Sequence, residues 1–170
     1  DKVTGLFYHG WTFDDSSNFG KVFWARGNSW FSAGSVELLD MCGHDDPSLR
    51  YILSCLQAQA EGLRKHQRSD GLFSTVLDAQ DSYPETSATA AIAFALHKGV
   101  RLGLLDPSFA QTADKAAQAA IGKIADDGTV EGVSYGTGVG DSADYYNRVP
   151  VRPTAYGQGL VLLMLGELQG

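Results

Sequence analysis

The chain has 170 residues, 44% of them apolar and 19% charged, which suits one domain with a sizeable core. A net charge of -7 with no basic cluster argues against nucleic acid and anionic membrane as partners, so any anion site must be built locally. No apolar run approaches the roughly 20 residues needed to cross a bilayer. Nor is there a basic-then-apolar leader at Asp1, which leaves the compartment open because a mature secreted chain lacks one too.

Taken in order, the first informative stretch runs from Gly5 to Trp30. An apolar-aromatic run, Gly5-Leu6-Phe7-Tyr8-His9-Gly10-Trp11, leads through a polar loop to Trp24-Ala25-Arg26-Gly27-Asn28-Ser29-Trp30. All three tryptophans of the chain fall here, with one of its four histidines. A flat ring beside a planar cation suits a sugar that carries a carboxylate: the ring stacks on its C–H face and the guanidinium forks onto the acid. The competing reading makes Trp11, Trp24 and Trp30 core aromatics and Arg26 a surface charge.

A helix follows over 27–42, then one over 47–66 whose Leu49, Ile52, Leu53, Leu56, Ala60 and Leu63 form an amphipathic stripe. Cys42 and Cys55 fall on these two helices; a bridge and a pair of buried free thiols are both open. Asp70-Gly71-Leu72-Phe73 reads as a turn and short strand. The next helix, 85–98, is Ala-rich and apolar nearly all round, so it should have neighbours on several sides. Glu85 ahead of it reads as a charge favoured at a helix N-terminus, and Asp70, Asp78 and Asp81 as turn residues. A striped helix over 107–124 precedes a fainter turn at Asp126–Val130. A Gly-rich loop runs from Gly132 to Arg152 with Tyr145-Tyr146 inside it, and a last apolar helix covers 154–168.

Two echoes organise these elements. Asp46-Pro47-Ser48-Leu49 recurs as Asp106-Pro107-Ser108-Phe109, each an Asp cap before a Pro in the first helical turn. Gly5-Leu6-Phe7 recurs as Gly71-Leu72-Phe73 and faintly as Gly128-Thr129-Val130. The period near 60 residues, with two helices per unit, is that of helical hairpins. Apolar helices (27–42, 85–98, 154–168) alternate with one-sided ones (47–66, 107–124), as in an inner and an outer ring. We therefore expect an all-α fold, one domain over 1–170, with about half of a ring present and short β-hairpins between helices. Such a half-ring exposes apolar faces of its inner helices. His9, His44, His66 and His97 are scattered without metal spacing, and no phosphate-loop or dinucleotide signature occurs, so neither a metal nor a cofactor is expected.

The same residues carry a resemblance. Gly5–Trp11 and Trp24–Trp30, with Gln67–Asp78, Ser82–Ala90, Gly136-Thr137-Gly138, Tyr145-Tyr146 and Tyr156-Gly157-Gln158-Gly159, resemble the unsaturated rhamnogalacturonyl hydrolases of glycoside hydrolase family 105, relatives of family 88. The match runs in order along the whole chain but covers the C-terminal half of that family's (α/α)6 toroid. It implies removal of a 4,5-unsaturated uronic acid from the non-reducing end of pectin-derived oligosaccharides, by hydration of the enol-ether double bond rather than by two-carboxylate displacement. It implies that His9, Trp24, Arg26 and Trp30 line the subsite for the unsaturated sugar, with Arg26 on the uronate. Thr137 and Tyr145 would sit on a loop closing the pocket, and Trp11 reads as structural. One departure matters: the family's catalytic Asp lies in a Trp-x-Asp segment, and this chain contains none, while Thr12 stands where an Asp commonly follows the His-x-Trp stretch. The acid is therefore expected outside this chain, and the missing N-terminal half of the toroid is an expected partner beside the oligosaccharide. An extracellular location is favoured, with a cytoplasmic one open. Two other readings stay in play: a catalytically silent carbohydrate-binding module, and a helical scaffold using Trp and Arg as interface anchors.

Overall fold

A computed structural model describes residues 1–43, 46–79 and 81–170. His44, one of the scattered histidines, lies outside the described residues. Among the described residues six α-helices dominate: α1 (Ala25–Cys42), α2 (Arg50–His66), α3 (Thr86–Arg101), α4 (Ala110–Ile121), α5 (Ala143–Asn147) and α6 (Ala155–Glu167). One antiparallel pair, β1 (Phe73–Ser74) and β2 (Pro84–Glu85), sets Phe73 opposite Glu85.

The packing follows from the apolar patterns. On α2 the residues at spacings of three and four, Leu56, Ala60 and Leu63, are buried, while Tyr51, Gln57 and Arg64 on other faces are exposed. On α4 an all-Ala seam, Ala113, Ala116, Ala117 and Ala120, lies against α3. The central helix α3 touches α1, α4 and α6, and every residue from Thr86 to Leu96 is buried. Its run of Ala lets three neighbours approach closely, and this is why it shows no polar face. Each fully buried Leu or Ile, such as Leu39, Leu63 and Ile92, stabilises the core by on the order of 1.5–3 kcal/mol. Helices α1, α3 and α6 form one layer, with α2 packed against α1 and α4 against α3. The alternation of inner and outer helices is the one expected. The unpaired side of α1 exposes Trp30, Leu38 and Met41, and that of α6 exposes Leu162 and Leu163.

Both Asp-Pro echoes are caps: Asp46 accepts from the Ser48 N–H and Asp106 from the Ser108 N–H, each at 2.8 Å. Each opens one 3-10 turn (Pro47–Leu49, Pro107–Phe109) that runs into its α-helix. The glycine echo is structural as well. Gly5, Gly71 and Gly128 all hold positive φ, between 75° and 87°. A Cβ on Gly5 would strike the Ala58 carbonyl oxygen on α2 at 2.1 Å, and one on Gly71 the Lys115 carbonyl oxygen on α4 at 2.5 Å. The same turn thus leans on successive outer helices.

Several expectations are corrected. The Gly5 copy forms no strand; Leu6 instead plugs the core. The 132–152 loop contains α5 and an antiparallel bridge between Ser134 and Val151. Glu85 belongs to β2 and precedes the helix. Cys42 and Cys55 are free, and neither is fully buried. Trp11 is no core aromatic: it is 54% exposed and meets Phe13 edge-on. Among the described residues no helix is long and apolar enough to cross a membrane.

Candidate functional site

The site is built where the inner helices begin. Residues 22–24 run extended into α1, and this entry is pinned to the segment after β1. Trp24 bridges Val76, the Ala25 N–H donates to Thr75 O (2.9 Å), and the Leu77 N–H donates to Phe23 O (3.0 Å). These bonds fix Trp24 and aim the first turn of α1 at the start of α3.

Arg26, in that first turn, is 3% exposed, and its guanidinium turns into the protein. Nη1 donates to Ser134 O (2.7 Å) and Ser134 Oγ (2.6 Å), with Glu85 Oε1 at 3.3 Å and Ser87 Oγ at 3.4 Å. Nη2 donates to Tyr135 O (3.1 Å) and Thr137 Oγ1 (3.0 Å). One face lies on the Trp24 ring and the other on Tyr156, at 4.9 and 4.8 Å from the ring centres. Both Nη groups, which the expected fork onto a uronate would use, donate here to the chain's own acceptors.

Its counter-ion Glu85 is wholly buried and serves three elements at once. One oxygen accepts from the Ala88 N–H and caps α3; the other accepts from the Ser134 N–H (2.9 Å). Ser87 Oγ donates to the same carboxylate. The cap role was legible in the sequence and the ion pair was not. A buried pair adds little net stability by itself, but with both Nη groups and both carboxylate oxygens engaged it locks one arrangement of α1, α3 and the 134–137 loop.

His9 packs on Trp24 with ring centres 4.1 Å apart, and its Nδ1 lies 2.5 Å from the Tyr146 hydroxyl. The Gly140 N–H donates to that hydroxyl at 3.1 Å; of the two acceptors open to the hydroxyl proton, the Gly140 carbonyl oxygen stands at 3.5 Å, farther than His9 Nδ1, which takes it. His9 is then the tautomer carrying its proton on Nε2. Burial, and then the positive charge of Arg26, hold His9 below the usual imidazole range, so at neutral pH it is an uncharged donor through Nε2. Gly27 makes this possible: a Cβ there would stand 2.9 Å from Trp24 Cε3 and 3.8 Å from His9 Cδ2.

The structure thus joins His9, Trp24, Arg26 and Thr137. It leaves Trp30 one helical turn beyond Arg26, 48% exposed. Trp24 is no bare platform either, at 7% exposed between His9 and Arg26. Tyr145 is one step behind: half-buried, it packs edge-on against Tyr146 with ring centres 5.3 Å apart and lies along Gly138 and Gly140. It is Tyr146, not Tyr145, that meets His9, because which of two adjacent residues faces inward is set by α5, a helix the sequence reading did not foresee. That reading also passed over Tyr156, whose hydroxyl donates to Ser134 O, although the Tyr-Gly-Gln stretch was already singled out. Among the described residues no group of His, Cys, Asp and Glu is arranged to hold a metal ion.

Arg26, His9, Trp24 and Tyr146 thus gather near the start of α1 in an all-α array of helical hairpins. The chain belongs to Glycosyl Hydrolase Family 88, whose family model matches residues 1–169. It is 34% identical over 169 residues to the unsaturated rhamnogalacturonyl hydrolase YesR of Bacillus subtilis (strain 168), covering 99% of this chain and 47% of that protein. A crystal structure described as a possible member of glycoside hydrolase family 105, from Salmonella enterica serovar Paratyphi A, superposes with a TM-score of 0.95 at 38% identity, over 99% of this chain and 45% of that one. The unsaturated glucuronyl hydrolase of Bacillus sp. GL1 shares the fold at a TM-score of 0.69 and 20% identity, over 95% of this chain and 46% of that one. The resemblance read from the sequence holds, and so does the (α/α)6 toroid-type architecture. The chain spans about half the length of the relatives it matches.

Proposed function

We propose that these 170 residues are the C-terminal portion of such a toroid and form the saccharide-binding half of a glycosidase. Its substrate would be a pectin or rhamnogalacturonan oligosaccharide with a 4,5-unsaturated uronic acid at its non-reducing end. The observation that carries this reading is the convergence of His9, Trp24, Arg26 and the Thr137 loop at the start of the inner helices. There His9 Nε2 offers a fixed neutral donor to a sugar hydroxyl. Trp24 stiffens the wall behind it, and Trp30 presents its half-exposed ring one turn along the same helical face.

In the reaction, a carboxyl group protonates C4 of the enol ether and water adds at C5. The resulting C5 hemiketal opens the ring to a ketone, leaving at C1 a hemiacetal whose collapse to the aldehyde releases the neighbouring sugar; a positioned general acid suits this chemistry. Glu85 is no candidate, because it is wholly buried and its oxygens already accept from Ala88, Ser87, Ser134 and Arg26. We therefore assign the acid to an Asp of the remaining half of the ring, the expected partner of this one.

Mixing the chain with unsaturated galacturonyl-rhamnose tests this directly. Saturable binding with the ultraviolet absorbance of the enol ether unchanged is the expected result. Bleaching of that absorbance would contradict the placing of the acid elsewhere, and absence of binding would contradict the saccharide site and favour a protein-binding scaffold.

A further inference from the structure

Both Nη groups of Arg26 are engaged within the chain, and a second cation stands on the loop that Arg26 fastens. Ser134 and Val151 form an antiparallel bridge, flanked by bonds from the Tyr135 N–H to Pro150 O and from the Arg152 N–H to Val133 O, both 2.8 Å. This short ladder places Tyr135 and Arg152 on a cross-strand diagonal, within reach of long side chains. Arg152 Cζ lies 3.5 Å from the centre of the Tyr135 ring. Arg152 is exposed and Tyr135 is 45% exposed. Among the described residues no carboxylate pairs with Arg152, in a chain holding 20 Asp and Glu against 13 Lys and Arg.

Stacking on an aromatic face restrains the guanidinium plane while leaving its edge N–H groups free, the arrangement that best meets a planar carboxylate with two parallel bonds. The platform is held in place from beneath, since Arg26 Nη2 donates to Tyr135 O and to Thr137 Oγ1. We propose that Arg152, laid flat on Tyr135, is a specificity-determining residue that reads the carboxylate of the unsaturated uronate, while the buried Arg26 positions the loop carrying that platform. This rests on the saccharide reading above.

The test titrates unsaturated galacturonyl-rhamnose, and the same disaccharide with its carboxyl group reduced to an alcohol, into wild type and Arg152→Gln. Arg152 is exposed, so the variant should fold, and its far-ultraviolet dichroism checks that. The expected outcome is about a tenfold or greater loss of affinity for the acidic ligand, as for a charged hydrogen bond removed, with affinity for the neutral ligand unchanged and the salt dependence of acid binding lost. Equal affinity of wild type and Arg152→Gln for the acidic ligand overturns the proposal, as does an equal loss for both ligands. Wild type that binds neither ligand overturns the saccharide reading, and the proposal with it.

Discussion

Arg26 shows how far a residue's surroundings can lie from its own stretch of sequence. The Trp-Ala-Arg-Gly stretch marks it, but six polar atoms and two rings of the chain occupy its guanidinium. Five of those atoms come from Ser87 and residues 134–137, far along the chain, so no local pattern around Arg26 could reveal them. Arg26→Met should cost about 3–5 kcal/mol, because it leaves Glu85 charged and buried without its partner. Urea denaturation would measure this loss, and Arg26→Met with Glu85→Gln should recover part of it. His9 carries a pH signature. Its folded-state pKa lies below the ordinary imidazole value of 6.5, so the unfolded chain binds the extra proton first. The His9 contribution is thus fully present above about pH 6.5 and is lost as pH falls from there through the folded pKa. Melting temperatures from pH 7.5 to 5 should fall more steeply for wild type than for His9→Asn, which retains an acceptor for the Tyr146 hydroxyl.

Elements were more legible than side-chain roles, and the reason is physical. The stripe of α2, the seam of α4 and the Asp-Pro caps are local, and local patterns survive folding. Helix starts at 25 and 155, and stops at 42 and 66, fall within two residues of the sequence reading. The short helix α5 was not legible, because its Ala-Asp-Tyr-Tyr-Asn is held by Tyr146 burying against Trp24 and His9 rather than by its own propensity. The glycine echo gives a test at this scale. Gly71 and Gly128 hold nearly the same positive φ, but a Cβ on Gly71 strikes α4 while one on Gly128 meets nothing within 4 Å. Gly128→Ala should cost about 1–2 kcal/mol from backbone conformation alone. Gly71→Ala should cost clearly more, and parallel denaturation curves would separate the two. Equal losses would mean that the turn does not lean on the outer helix as described.

At the scale of the molecule, the row of α1, α3 and α6 ends in two apolar edges. Met41 is 82% exposed and Leu162 60%, on helices that in an inner ring would have a further neighbour. Apolar patches of this kind promote association. The isolated chain should therefore associate as its concentration rises, and Met41→Lys with Leu162→Lys should suppress this; sedimentation velocity would detect the change. The half-ring itself was readable from the period near 60 residues and the two-and-a-half units, since alternation of apolar and one-sided helices follows from which of them must have neighbours all round. What the pattern could not tell is that Trp24 and Arg26 face each other inside the protein and leave its surface to Tyr135 and Arg152.

The most direct measurement of the saccharide site follows the three tryptophan indole N–H resonances while unsaturated galacturonyl-rhamnose is added. Trp24 Nε1 has no hydrogen-bond acceptor among the described residues, so its resonance reports closely on what happens around His9 and Arg26. We predict a saturable shift of the Trp24 signal with that of Trp11 unmoved. A Trp24 resonance that stays in place at saturating sugar would contradict the assignment of these inner-helix N-termini as the saccharide site.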